Sequence, residues 1–438
     1  MTPITSGRGA VVPVGAQPRR RAVRRVTGLA RSTPGRLSLL ALLLVVVALL
    51  AGGLTATSVQ RRAAALEAQA DRSEPLAFAA HEVYRAMADA DATAAGAFLS
   101  GGVESAALRQ RYEQDVAEAA AALSAATAGG SRSPELTAAL SALSGRLPVY
   151  TGLVETARTH NRQGHPVGAA YLRQASDLMR SELLPAAREL YRVETGNVVR
   201  DLEGAGSLPW PELLLGVGAL VVLVLAQRWL TRRTNRVLNP GLVVATALTA
   251  LSLLWVLAAS LLVVYRSTTA KEEAALVDVL ARARITTLTA RGDETLTLVA
   301  RGSGTDYEND FVERAGQLTD LLARADGWSD ASSVASALEH HARWQEVHRQ
   351  VREADERGDH TIAVALALGY DEGGAATAFD ALDDSLVDAI GASRSRLTGT
   401  MGRARGALGG AVPAVVVLAL LSAVAATFGL WQRLKEYR

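Results

Sequence analysis

The chain contains no cysteine. That excludes disulfide staples, thiolate zinc sites, thiol nucleophiles and a lipid-modified N-terminal cysteine. Lysine is nearly absent too: of 46 basic residues, 44 are Arg. Aromatic residues make up only 5%, and Ala, Leu and Val dominate, which favours helix over sheet. No GxxxxGK[ST] or GxGxxG phosphate-binding motif occurs. What is abundant is apolar surface. Hydrophobic residues reach 49%, charged residues only 21%, and mean hydropathy is +0.15. For 438 residues, about two to three ordinary domains, that value points first to membrane spans.

Four apolar runs are long enough, at roughly 20 residues each, to cross a bilayer. They are 37–54 (TM1), 209–230 (TM2), 241–265 (TM3) and 408–431 (TM4). None carries a charge in its centre; Glu212 and Arg228 sit near ends. Intramembrane charge usually marks a transport route, so this argues against an ion-coupled transporter. Trp210 and Trp229 flank the second run as interfacial aromatics. Gly216, Gly218, Gly406, Gly409 and Gly410 permit close helix contacts, or are ordinary small residues in an Ala-rich chain.

The formal charge of +2 hides segregation along the chain. Residues 1–36 carry eight Arg and no acid. The loop 231–240, with Arg228 at its edge, adds Arg232, Arg233 and Arg236, again without acid. The tail 432–438 has Arg433, Lys435 and Arg438 against Glu436. By the positive-inside rule all three are expected in the cytoplasm. Segment 55–208 holds 15 basic and 18 acidic residues, and segment 266–407 is more acidic still. Both are expected outside, giving a multi-pass plasma-membrane protein with N-in/C-in topology. The first run is expected to be an anchor: its 18 residues exceed the ~7–15 of a signal h-region. Thr55-Ala56-Thr57-Ser58 is a poor cleavage site, although cleavage there is the alternative.

Each outer segment reads as four helices in an up-down arrangement with short turns. The expected helices are 56–99, 104–127, 134–162 and 167–203, then 267–301, 305–325, 331–357 and 361–404. Breaks fall at Gly101-Gly102, Gly129-Gly130-Ser131 and Gly164-His165-Pro166. Ser133-Pro134-Glu135 is a helix start. Pro148, Pro185 and Gly373-Gly374 should kink their helices. The fold class is thus all-α: four transmembrane helices and two tandem four-helix-bundle modules, 55–208 and 266–407.

The modules look like copies of one unit. Tyr112-Glu113-Gln114-Asp115-Val116 matches Tyr307-Glu308-Asn309-Asp310-Phe311. Asp91-Ala92-Thr93 matches Asp293-Glu294-Thr295, and a Gly turn follows each. Tyr150 precedes Gly164 by 14 residues, as Trp344 precedes Gly358. The shared order points to duplication of a span–module–span unit.

Chemistry-bearing constellations are few. The cytoplasmic pieces are too short to bury a core of their own, which excludes an internal kinase, cyclase or DNA-binding domain. His341 and His348 share a helix face but are separated by ~10 Å of rise, too far for one metal ion. With His340 they are expected on a solvated or inter-helix polar face. Arg85, Asp89 and Asp91, with Asp293 and Glu294, are the candidate ligand or partner surface; the bland alternative is a solvated bundle tip with an Arg85–Asp89 pair. Glu353, Asp355, Glu356 and Asp359 read as a solubilising cluster. Tyr112, Tyr150, Tyr307 and Trp344 read as packing. Arg228, Arg232, Arg233 and Arg236 are the candidate cytoplasmic contact. Thr231, Thr234, Thr27, Ser32 and Thr33 lie where a kinase could reach them. No catalytic residue, cofactor or metal site is expected.

Two stretches carry a resemblance. Asp89-Ala90-Asp91-Ala92-Thr93-Ala94-Ala95-Gly96-Ala97-Phe98-Leu99-Ser100-Gly101-Gly102 resembles the end of the first helix in four-helix sensory domains of bacterial chemoreceptors and histidine kinases. Arg357-Gly358-Asp359-His360-Thr361-Ile362-Ala363-Val364-Ala365 resembles their third turn and fourth-helix start. The linker and kinase parts of those receptors are absent. In length, span order and Ala/Arg-rich composition the chain also resembles a family of actinobacterial four-span membrane proteins. That family is associated with an extracytoplasmic glutamate/aspartate-binding lipoprotein and with the cytoplasmic serine/threonine protein kinase G. The resemblance implies a non-enzymatic relay of an amino-acid signal from a solute-binding lipoprotein to a cytoplasmic Ser/Thr kinase, with no nucleic-acid partner and with oligomers open. It supplies no functional residue. The alternative is an accessory or scaffold subunit of a transporter or envelope complex.

Overall fold

The computed structural model describes residues 33–101, 104–129, 133–205, 209–234, 239–328, 332–369 and 373–435. Among them the regular structure is all helix, with no strand. In order these are α1 (Thr33–Ala68), α2 (Glu74–Leu99), α3 (Ala106–Ala128), α4 (Pro134–Arg162), α5 (Val167–Leu178), α6 (Leu184–Ala205) and α7 (Trp210–Thr234). They continue as α8 (Pro240–Val299), α9 (Thr305–Asp326), α10 (Ser332–Glu356), α11 (His360–Leu368), α12 (Ala375–Gly409) and α13 (Ala411–Lys435). Four helices include stretches long and apolar enough to cross a membrane, so this is a membrane protein of the all-α class. Within α8, a single helix of 60 residues, the apolar stretch is 241–265.

Local chemistry explains the boundaries. Ser133 and Ser105 each accept a hydrogen bond from the backbone N–H three residues on, at 3.2 Å, satisfying a donor the helix leaves orphaned. The four positive-φ glycines among the described residues are Gly101, Gly164, Gly302 and Gly358, at the turns expected from sequence. Only glycine enters that region without strain. Two prolines leave a different mark. Pro75 and Pro185 are each preceded by a π-helical turn, Gln69–Ser73 and Met179–Leu183. A proline cannot donate to the turn before it, and the ladder widens there. Pro148 lies inside α4 without a break. The expected single helix 361–404 is instead split: α11 ends at Leu368 and α12 starts at Ala375. A Cβ at Gly374 would lie only 2.0 Å from the Gly369 carbonyl oxygen, an approach glycine alone permits.

The chain folds into two compact units. One comprises the described parts of residues 1–60, 209–260 and 410–438. Leu44, Leu223, Leu230, Leu242, Ala245 and Leu430 are buried together there. Polar groups add ties between these helices: Asn239 Nδ2 donates to the Gly429 carbonyl at 2.8 Å, and Gln227 Nε2 to the Leu242 carbonyl at 2.8 Å. The close approach uses glycines that the sequence did not single out. A Cβ on Gly241 would sit 2.5 Å from Gly429 Cα. Gly216 does meet Leu253, whereas Gly218, Gly406, Gly409 and Gly410 have open space around the position of a Cβ.

The other unit comprises 61–208 and 261–409. The two polar segments are not separate bodies. One hydrophobic cluster draws on both, from Met87, Tyr150 and Leu190 to Leu288, Trp344 and Leu386. The physical reason lies in α2: Ala80, Ala86, Ala90, Ala94 and Ala95 are all buried on it. So short a side chain lets neighbouring helices close in on every face. Tyr112, Tyr150 and Trp344 are buried and Tyr307 packs against the core, as expected. Ion pairs tie the segments together as well: Arg394–Glu74 at 2.6 Å, Arg405–Glu67 at 2.6 Å and Arg111–Asp380 at 3.6 Å. Tyr191 Oη donates to Asp278 at 2.9 Å.

Candidate functional site

All five outer candidates come to rest in this second unit, and none is on its surface. Arg85, Asp89 and Asp91 lie on α2, Asp293 and Glu294 on α8, and each is buried. The solvated bundle tip is therefore not what forms. The Arg85–Asp89 pair exists at 3.7 Å, but it is enclosed by α3 and by helices of the other segment. A Cβ at Gly292 would lie 3.9 Å from Ala92 Cα, so α2 and α8 run close where these acids sit.

Each buried acid has distinct partners. Asp91 Oδ1 accepts from Ser176 Oγ at 2.8 Å and from Tyr150 Oη at 3.3 Å. Burial raises its carboxyl above the usual range; Arg180 and the two hydroxyls oppose that without winning. Asp89 accepts from Arg111 Nη2 at 3.2 Å, yet burial still raises it. Asp115 accepts from Thr93 Oγ1 at 3.4 Å. Burial, with the Asp89 charge next, pushes it up to about 8. Asp293 is gripped by two arginines from different segments, Arg180 and Arg314, the latter at 2.7 Å. Burial lifts it to about 6 against their pull.

Glu294 differs. Arg291 Nη1 bonds it from one turn back, Trp344 Nε1 donates at 3.3 Å, and His348 Nδ1 approaches at 3.0 Å. Burial alone would raise its carboxyl, but Arg291 and His348 hold it below the ordinary value. His348 is clamped on the other side by Glu308 at 3.2 Å and stacks on Phe311 at 3.6 Å. Burial would lower the imidazole; hydrogen bonds to Glu294 and Glu308 outweigh that and raise it to about 9. His341 is buried too, with Thr319 Oγ1 at 3.1 Å. These two histidines thus sit on an inter-helix polar face rather than a solvated one. Among the described residues no group of three His, Asp or Glu is placed to hold one metal ion. The acidic cluster is paired locally, Arg352–Asp355 at 2.8 Å and Arg349 with Glu353.

Sequence reasoning missed Arg180, Ser176, Arg111 and Arg291 as members of this network. Arg291 had a faint signal, one helical turn before Glu294. The others are joined to their acids only by the fold: 85 residues separate Ser176 from Asp91 and 113 separate Arg180 from Asp293. Of the cytoplasmic candidates, Arg228 and Arg232 are exposed on α7. Arg236, Thr27 and Ser32, with the side chains of Arg233, Thr234 and Thr33, lie outside the described residues.

Residues 65–203 match a family model described as an actinobacterial sensor domain. The match runs from the end of α1 to the end of α6, roughly a third of the chain. It supports a sensor-type protein of actinobacterial kind. No curated protein and no solved structure matches.

Proposed function

We propose that the protein is a non-enzymatic transmembrane sensor that relays an extracytoplasmic signal inward. The observation that carries this is the sensor-domain match over 65–203, in a chain with four apolar helices fit to span a membrane. We read the second segment, 266–407, as a duplicate of the first; in support, Gly302 and Gly358 share the positive φ of Gly101 and Gly164, and Trp344 has the donor role of Tyr150 toward an acid on the preceding long helix. By the charge segregation, both polar segments lie outside, and residues 1–36, the 231–240 loop and the tail lie inside. On this reading the signal passes from the inner segments to another polypeptide. A solute-binding lipoprotein reporting an amino acid outside, and a Ser/Thr kinase inside, are the partners this reading names. Arg228, Arg232, Arg233 and Arg236 are then the inner contact.

The test is photo-crosslinking in cells from the polar unit and from the inner loop, read by mass spectrometry. A solute-binding lipoprotein on one side and a kinase on the other is the expected result. Transport or envelope-assembly subunits in their place would replace the relay with the scaffold reading.

A further inference from the structure

A cleft of about 810 Å³ opens between α6 of the first segment and α8 and α9 of the second. A smaller cavity of about 170 Å³ adjoins it and shares Tyr84, Arg188 and Ile285 in its walls. The larger is within the size range of small-molecule sites, about 300–1,000 Å³. Together the two walls carry six arginines and two aspartates.

Most of that charge is already matched. Arg180 and Arg314 share Asp293 and Asp310. Arg282 pairs with Asp278, and Arg192 with Glu189. Arg188 and Arg324 have no carboxylate among the described residues. Arg324 Nε bonds the carbonyl of its own helix, Asp320 O, at 3.2 Å. Arg188 is held in a specific way: its Nε and Nη2 both donate to the Tyr84 hydroxyl, at 3.3 and 3.1 Å. Tyr84 is buried, and its hydroxyl orients the guanidinium at the cleft wall. Its hydroxyl oxygen is used as an acceptor, which leaves the O–H hydrogen beside the free Nη1 of Arg188. Arg188 is itself exposed, and among the described residues neither its Nη1 nor the Tyr84 O–H has a protein acceptor. Among the charged and polar residues of the larger wall, Ile285, Leu321 and the Tyr191 ring supply apolar surface.

We infer that this cleft binds a small organic acid, its carboxylate on Arg188 and Tyr84 and its apolar body against Ile285, Leu321 and Tyr191. A planar guanidinium with a fixed neighbouring hydroxyl matches a carboxylate's two oxygens. Such a ligand would bridge α6 to α8 and α9, the two segments at once. The inference deepens the sensor reading by naming the chemical class sensed.

The experiment uses the full chain in lipid nanodiscs, with benzoate as probe and binding read by calorimetry and thermal shift. Benzamide tests the charge and inorganic phosphate tests a bare anion. Benzoate should bind and stabilise, while benzamide and phosphate should not. Arg188→Met should weaken benzoate roughly tenfold or more, and Arg188→Lys less, because lysine offers no planar fork. Arg349→Met, outside the cleft and paired with Glu346, should leave binding unchanged. Should Arg188→Met fail to fold, Tyr84→Phe keeps the ring and still removes one donor, and a several-fold loss is expected. Equal response to phosphate, equal response to benzamide, no response to benzoate, or benzoate binding indifferent to both variants would each overturn the site. Binding is read on purified protein and partner crosslinks in cells, so the site and the relay can fail separately.

Discussion

Asp91 and Glu294 are both buried, one in each segment, yet their carboxyls shift in opposite directions. Asp91 is met by two neutral hydroxyls, and burial wins. Glu294 is met by a guanidinium and an imidazole, and the charges win. Depth alone does not set the sign: charged partners reverse the effect of burial at Glu294 and fall short of it at Asp293, which two arginines grip. Asp91 thus resists ionising, whereas Glu294 sits ionised between Arg291 and His348.

The comparison can be broken most strongly at Arg291. Arg291→Met leaves Glu294 short of its nearest cation and the Ala367 carbonyl short of its donor at 2.8 Å. Removing one member of a buried pair costs about 3–5 kcal/mol, and denaturant unfolding of the solubilised chain should show it. Asp91→Asn should cost only about 1 kcal/mol, because no fixed cation is stranded. Equal losses would sink the distinction.

The pH response comes next. His348 titrates near 9 in the fold and near 6.5 when unfolded. Its folded pKa is raised, so its stabilisation is complete below pH 6.5 and is lost as pH rises through about 9. The effect is on the order of 3 kcal/mol. Melting curves across that window should decline in the wild type and flatten in His348→Gln. A variant that declines in parallel with wild type would show that other groups govern the window.

Tyr150→Phe probes the hydroxyl half of the comparison. It removes one of two donors to Asp91 and should cost about 1–2 kcal/mol. Its effect should rise with pH, since the ionised carboxylate needs that donor more. The smallest expected effects are at helix starts. Ser133→Ala should cost about 1 kcal/mol. Asp359, at the start of α11, makes no side-chain cap bond, and Asp359→Ala should stay within about 0.5 kcal/mol. Amide exchange at the first turns of α4 and α11 would report each.

Much of the helical order was legible because its punctuation is local. Ser133-Pro134-Glu135 starts α4, and Gly164 and Gly358 end their helices, by rules that span a few residues. The acids of the site were legible as residue types, and Asp89, Asp91, Asp293 and Glu294 do lie together in one unit. Their environment was not. Whether Asp91 faces water or Tyr150 depends on a contact 59 residues away, and whether Asp293 is solvated depends on an arginine from the other segment. Local spacing supplied the Arg85–Asp89 pair and suggested a solvated tip; the alanine-rich face of α2 carried the opposite message. In the apolar unit, Gly241 and Gly429 escaped notice because either is an ordinary glycine until its partner is known.

The π-helical turns before Pro75 and Pro185 each hold one residue more than an α-helical path would need. That surplus has a consequence for sequence length. A one-residue deletion in an ordinary helix rotates all that follows by roughly 100° and turns a buried stripe toward the wrong neighbours. Within Gln69–Ser73 or Met179–Leu183 the same deletion, made together with replacement of the proline that follows, should close the wide turn into a regular one and keep both flanking faces in phase. Among the described helices, these two turns are where losing one residue together with the proline should disturb the packing least.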